Sequence, residues 1–489
     1  MALLAVFLLV YGAQSTLIGS LGSALPYSDQ WNFEALGLYR PYLAGTLDWM
    51  QLAAPYNEHR MLFTRLLLLG LFELAGGWDP VLAMLVNSLL HALFAALFTA
   101  FVVKATPPPA RLIVFGFALL CFVLPVGFEN TLMGMNSHFY MFLLLSFGCL
   151  TLIAKSPAFS TGWIAGLVCG LLTGFTLASG ALSVLAAAVV PALQLAAGVR
   201  ARRWGEFAGV GLTAIAGIAM VASVAHDAAS LALQAHNLMD FIPAALAVAS
   251  LPLFSGVGLV FVHAPLFWLV GHTVLRKRPR DGREWGLVAV AAWIAAQILA
   301  IAYSRYEMAL SSRYFDIIIL LLPLDLVALT IWLARLPEEG RRSWLALYAG
   351  GWLFVVVLAI GAGAHFSSWR LAAQEKTELD ASQSKVTAYL ETHDLAQLQG
   401  VVGWLYPDLK QLGNILSDPE VRLFLPTDIL PPGSDPTALR DKTVLKGRLA
   451  DIADLLKLIL GAGPVWLALG AAFAFLAGAR QILRPPNRA

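Results

Sequence analysis

The chain has 489 residues, of which 59% are hydrophobic and 13% charged, with a mean hydropathy of +0.74. Soluble domains carry roughly 25% charged residues, so the composition describes a polytopic membrane protein and excludes an ordinary soluble enzyme. A net charge of +2, with basic residues spread among loop clusters instead of along one face, argues against a nucleic-acid partner.

The opening stretch, residues 1–25, has no basic leader and no small-residue cleavage pattern, and it reads as a retained first helix. A spanning helix takes about 20 mainly apolar residues. That rule places twelve spans, near 3–25, 80–103, 112–127, 138–154, 162–179, 181–199, 206–225, 246–275, 285–304, 315–334, 343–363 and 462–479. With the N-terminus inside, the inner loops hold Lys104, Arg111, Lys155, Arg200, Arg202, Arg203, the run from Arg276 to Arg283, Arg335, Arg341, Arg342, Arg480, Arg484 and Arg488. These are 17 of the 32 Lys and Arg, whereas the outer loops before residue 364 hold five: Arg40, Arg60, Arg65, Arg305 and Arg313. This is the positive-inside bias.

The parity requires that Met61–Gly76 does not cross the membrane. The segment is short, carries Arg65 and Glu73, and ends at Gly76-Gly77-Trp78-Asp79-Pro80, a breaker followed by a helix start. It is expected to lie in the outer interface, or to re-enter it, with its Leu and Phe side chains facing lipid. Residues 364–461 are the one long hydrophilic segment, with 13 Asp or Glu and 10 Lys or Arg. Ser367–Thr392 has helical periodicity and extends the preceding span, Val421–Leu425 reads as a short strand, and Pro426–Pro436 is a loop by its Pro and Gly content. The expected organisation is an all-α, polytopic fold. It comprises a transmembrane core over 1–363 with a first external loop at 26–79, a small periplasmic cap at 364–461, and a last helix with a cytoplasmic tail at 462–489.

The polar groups that could carry chemistry fall on the outer side. The island Pro26–Arg60 contains Asp29, Trp31, Glu34, Asp48, Trp49, Glu58, His59 and Arg60. Ionisable groups beside a membrane helix mark a place where water or a charged ligand meets them. Glu129, Asn130, Asn136, Ser137 and His138 follow the third span, and Arg305, Arg313 and Tyr314 follow the ninth. A carboxylate in one loop can take a proton from an attacking hydroxyl, and an arginine fork in another can hold a leaving phosphate. Glu34 and Asp48 read as solvated helix faces. His91 and His263 read as packing or inter-helix hydrogen bonds, and Cys121, Cys149 and Cys169 as small buried hydrophobes. No Walker A loop, dinucleotide-binding glycine motif, HExxH or CxxC is present, and there is no room for a nucleotide-sugar domain. The donor is therefore expected to reach the protein from the bilayer.

Asp29 in Tyr27-Ser28-Asp29-Gln30-Trp31, soon after the first helix, followed by an interfacial segment, resembles the GT-C superfamily of integral-membrane glycosyltransferases. Glu58-His59-Arg60 is similar to the acidic-basic pair of the lipid A aminoarabinose transferases, and protein O-mannosyltransferases share the early acidic motif. A lone Asp29 stands where both carry an Asp-Glu pair. Glu129-Asn130, Asn136-Ser137-His138-Phe139-Tyr140 and Ser312-Arg313-Tyr314 resemble motifs of further bacterial membrane proteins, so the likeness runs over roughly the first 320 residues.

The resemblance implies an inverting glycosyltransferase at the periplasmic face of a bacterial inner membrane. It would use a polyprenyl-phosphate sugar donor, with undecaprenyl as the expected lipid, and a glycan, lipid or protein acceptor. Asp29, Glu58 and His59 would be catalytic, and Arg313, Arg305, Arg60 and Tyr314 would bind the donor phosphate. Trp31, Asn136, His138 and Tyr140 would bind substrate. Asp29 and Glu58 could together hold Mg or Mn, as in some relatives. The competing readings are a transporter or flippase for lipid-linked sugars, whose charges would gather at mid-membrane in paired halves, and a non-catalytic scaffold.

Overall fold

The computed structural model describes residues 1–225, 228–336, 341–435 and 439–482. Pro436, Arg484 and Arg488 lie outside the described residues, as do the side chains of Arg341, Arg342 and Arg480. The chain is 76% helix and, among the described residues, contains no strand. The expected strand at Val421–Leu425 is a helical turn at Pro419–Arg422 running into a bend. Proline starts that turn, and Asp418 caps it by accepting the Glu420 backbone N–H.

Among the described residues, eight helices are long and apolar enough to cross a membrane: Ala2–Leu21, Pro80–Ala105, Gly134–Lys155, Trp204–Ala222, Gly256–Leu275, Arg283–Ser304, Ser312–Arg335 and the 50-residue run Ser343–Thr392. The bent pair Ala450–Leu460 and Gly463–Gly478 makes a ninth if it is one span. The other apolar stretches expected to span are shorter helices at Pro108–Val123, Thr161–Phe175 and Gly180–Ala196. The expected span at 246–275 is broken, because Leu238–Ala249 ends before Pro252 and Ser255 caps a new helix by accepting the Gly258 backbone N–H. The protein is thus a multi-pass, all-helical membrane protein.

The first and last helices meet through glycine. A Cβ at Gly12 would come 2.6 Å from the backbone of Leu467, and one at Gly463 would come 2.5 Å from that of Thr16. Backbones this close exclude any side chain, the small-residue packing that membrane helices use where lipid offers no hydrophobic drive. Within the bundle His263 pairs with Asp325 at 2.6 Å and His91 bonds to Gln14 while its ring stacks on Tyr140. Cys121, Cys149 and Cys169 are free thiols.

Two polar segments far apart in sequence share one hydrophobic core outside the bundle. Trp31, Phe33, Tyr39, Phe72 and Trp78 from residues 31–78 pack with Tyr389, Tyr406, Leu412 and Phe424 from the long hydrophilic segment. Leu62–Ala75 is the helix expected at Met61–Gly76, but Leu68 and Phe72 turn inward to this core while Leu66 faces out. The seam is fastened by Arg40 to Glu420 at 3.0 Å, by Lys457 to Asp79 at 2.8 Å, and by Glu73, which accepts the Leu445 backbone N–H at 2.7 Å.

Glu34 organises the first loop from within. It stands in a π-helix, Trp31–Tyr39, whose wider turn lets residues four and five apart meet. Its carboxylate accepts from Gln30 Nε2 at 2.8 Å, Tyr39 Oη at 3.0 Å and Trp78 Nε1 at 2.8 Å. The sequence reading placed it on a solvated face, but it is 1% exposed. The aromatic neighbours that hide it also supply its donors. Burial pushes its pKa up to about 7 in spite of these three bonds.

A carboxyl raised from 4.5 to about 7 on folding binds its proton more tightly in the native state. Its stabilising contribution is therefore present below about pH 4.5 and is lost as pH rises through 7, a span worth on the order of 3 kcal/mol. Thermal unfolding of the wild type and Glu34→Gln in detergent between pH 4.5 and 8 should show the wild type losing stability relative to the variant as pH rises. A pH-independent difference would remove Glu34 as a titrating buried acid.

Candidate functional site

Between the first loop and one end of the bundle lies a cavity of about 480 Å³. Its wall includes Asp29, Tyr56, Glu58, His59, Asn136, His138, Arg305, Arg313 and Tyr314. Local backbone chemistry sets the first of these. Ser28 takes a left-handed conformation, φ 53°, and its N–H is held by the Leu405 carbonyl at 2.7 Å. Asp29 follows at the entry to the π-helix without its side chain capping it. One oxygen of Asp29 accepts from the Tyr56 hydroxyl at 2.9 Å, and among the described residues the other has no partner. Burial, reinforced by the Asp29 charge, raises the Tyr56 phenol and keeps it a donor.

Tyr56 to His59 form a tight turn closed by reciprocal backbone bonds of 2.8 and 3.0 Å, with Asn57 at φ 50°. That turn brings Glu58 and His59 into the cavity with Asp29. Glu58 uses both oxygens, one on Arg305 and the other accepting from Ser230 at 2.6 Å. Burial raises the Glu58 carboxyl, and His59, Ser230 and Arg305 more than reverse this, leaving it below its ordinary value. His59 Nδ1 accepts the Ala178 backbone N–H at 3.1 Å, so the proton of the neutral ring sits on Nε2, 3.7 Å from Glu58. Burial and the charges of Arg305 and Arg313 hold His59 below its ordinary value against the opposing pull of Glu58 and Asp29. The His138 ring centre is 6.1 Å from that of His59, and its Nδ1 donates to the Met135 carbonyl at 3.1 Å, which leaves Nε2 unprotonated in the neutral ring.

Arg313 is aimed by Glu129. Its backbone N–H and its Nε each donate to Glu129 Oε2 at 3.1 Å, and Nε also reaches Ser311 at 3.1 Å. Asn130 Nδ2 donates to the Arg313 carbonyl at 2.7 Å, and Asn136 braces Asn130 in turn. Neither Nη of Arg313 has a partner among the described residues. Behind this segment lies a second, mainly apolar cavity of about 400 Å³, to which Glu129, Ser311 and Ser312 present their side chains alongside Phe315, Ile319 and Leu322.

The structure thus gathers Asp29, Glu58, His59, Asn136, His138, Arg305, Arg313 and Tyr314 in one cavity, and it leaves three expected site residues outside. Trp31 is fully buried against Trp78, at 5.7 Å between ring centres, because the π-helix turns it into the shared core. Tyr140, also fully buried, stacks on His91 and is not part of the cavity wall. Arg60 points away and donates to the Ser223 carbonyl at 3.4 Å. Arg305, expected on a phosphate, is engaged by Glu58. A metal shared by Asp29 and Glu58 fits poorly, since it would displace Arg305 or Ser230 from Glu58. Tyr56, Ser230 and the Glu129 brace on Arg313 were not assigned from sequence. Tyr56 lies two residues before Glu58 and Glu129 stands in the Glu129-Asn130 motif, whereas Ser230 carried no local signal. No family model, no curated protein and no solved structure matches this chain.

Breaking the half-hidden Glu58–Arg305 pair leaves an uncompensated charge, whichever partner is removed. Glu58→Gln and Arg305→Gln should each lower the melting temperature, and the double variant should melt no lower than the worse single one. Additive losses in that cycle would mean that the two groups do not act as a pair.

Proposed function

We propose that this protein is an inverting glycosyltransferase of the GT-C type, moving a sugar from a polyprenyl-phosphate donor to a hydroxyl acceptor at the outer face of a bacterial inner membrane. The observation that carries the reading is the presence, in one cavity, of an Asp29 carboxylate oxygen and the two Nη groups of Arg313, none of which has a partner among the described residues. A transfer that inverts needs a base on one side of the anomeric carbon and a stabiliser for the leaving phosphate on the other.

In this mechanism Asp29 takes the proton of the acceptor hydroxyl as its oxygen attacks the anomeric carbon. The bond from that carbon to the phosphate oxygen breaks, and the electron pair leaves with the polyprenyl phosphate. Arg313, oriented by Glu129, meets the charge that develops on the phosphate. Tyr56 fixes the Asp29 carboxylate, leaving one oxygen toward the acceptor. Neutral His59 and His138 line the sugar's place without adding to the positive charge. The apolar cavity behind Ser311 and Ser312 suits the first prenyl units, so lipid and sugar would lie on either side of the segment that carries Arg313.

In a transfer assay with a polyprenyl-phosphate sugar, Asp29→Asn should lower kcat by about 10²- to 10⁴-fold while keeping donor affinity. Arg313→Ala should weaken donor binding by roughly 10- to 100-fold. An undiminished rate in folded Asp29→Asn would end the base assignment. The orientation is checked separately: a cysteine at position 107, in the turn after Pro80–Ala105, should resist a membrane-impermeant thiol reagent added to intact spheroplasts, and labelling there would reverse the sidedness.

A further inference from the structure

The bundle carries a basic cavity of about 500 Å³ at its other end, lined by Arg111, Arg278, Arg283 and Arg335 together with Asp281 and Glu284. One helix measures the separation. It starts at Arg283 and ends at Ser304, which lines the Asp29 cavity, and its 22 residues span about 33 Å. The two sites therefore act on opposite sides of the apolar bundle.

Among the described residues the charges in this cavity do not balance internally. Four guanidinium groups face two carboxylates, and the strongest pair, Arg335 Nη2 to Glu284 at 2.5 Å, uses one edge of one fork. Glu284 stands 3.8 Å from Arg278 Nε, too far for a hydrogen bond. Among the described residues Arg278 Nε and Arg335 Nη1 therefore have no hydrogen-bond acceptor, on side chains that are 33% and 25% exposed. A guanidinium N–H without an acceptor is costly, and the Arg278 backbone is anchored beside the cavity. Its N–H donates to the Thr273 carbonyl at 3.2 Å, its carbonyl accepts from Trp285 Nε1 at 3.0 Å, and the next turn is closed by Gly282 N–H on the Pro279 carbonyl at 2.8 Å. Planar guanidinium forks match phosphate oxygens, and Ile331 and Ala334 give the cavity an apolar side.

We infer that this cavity binds a phosphate-bearing anion between Arg278 and Arg335. The anion supplies the acceptors that the protein withholds and offsets the excess positive charge. The site is independent of the transfer reaction. A phosphate ester can reach it from the bilayer as an anionic phospholipid head group or from water as free phosphate or diphosphate, and these sources separate experimentally.

The test uses the full-length protein in neutral detergent. Native mass spectrometry with added cardiolipin, phosphatidylglycerol or phosphatidylcholine reads the lipid source. Thermal shift with inorganic diphosphate at constant ionic strength reads the soluble source. The wild type should retain an anionic lipid in preference to phosphatidylcholine, or be stabilised by diphosphate. The Arg278→Gln/Arg335→Gln variant should weaken whichever is seen by roughly tenfold or more. If that variant does not fold, Arg111→Gln, on the exposed rim, should give a smaller loss in the same assay. Equal retention of all three lipids with no diphosphate stabilisation would overturn the site, as would binding that neither variant changes.

Discussion

The Glu58–Arg305 ion pair joins residues 247 positions apart, and the geometry of the Asp29 cavity depends on it. It ties the loop after the first helix to the turn after Arg283–Ser304, so that a motif from early in the chain faces one far along it. In a chain with 13% charged residues, a carboxylate and a guanidinium this enclosed need each other. The pairing also divides the labour. With Glu58 committed to Arg305, and Glu129 to Arg313, Asp29 is the acid in the cavity that has an oxygen without a partner among the described residues.

That freedom is maintained from the opposite side by the shared aromatic core. Glu34 draws Gln30, Tyr39 and Trp78 around one carboxylate, and this fixes the π-helix whose first turn carries Asp29. The long hydrophilic segment completes the arrangement: Leu405 holds the Ser28 backbone, Trp404 packs edge-on to Tyr27 at 5.5 Å, and Tyr406 donates to Asn32 at 3.0 Å. Residues 364–461 are therefore part of the wall that positions Asp29, more than a lid attached to a finished bundle.

These features also decide what the sequence could reveal. Asp29, Glu58, His59, His138 and Arg313 were legible because charges beside apolar spans have few structural reasons to be there, and the structure gathers them in one cavity. Glu34 was misread because a single carboxylate among aromatic residues gives no periodic signal that it is buried. Its donors come from Gln30, Tyr39 and Trp78, and the π-helical turn that aligns them is not written in a 3.6-residue pattern. Trp31 and Tyr140 looked like ligand contacts because large aromatics near polar motifs can serve either purpose, and here packing claims both. The break inside 246–275 was written in Pro252 and Ser255, but the apolar run around them outweighed the turn signal. Ser230 carried none, since it meets Glu58 only through the fold.

Arginine serves two ends in this protein, and the difference lies in what each side chain already holds. In the Asp29 cavity Arg305 is spent on Glu58, and the Arg313 side chain is held through Nε, with neither Nη partnered among the described residues. In the basic cavity Arg335 is held by one edge, and Arg278 by its backbone instead of its side chain. With that end inside, the positive-inside bias would account for the arginines gathered there. It does not account for two of their N–H groups lacking an acceptor among the described residues. The missing partner, not the number of charges, distinguishes a binding site from an orientation signal.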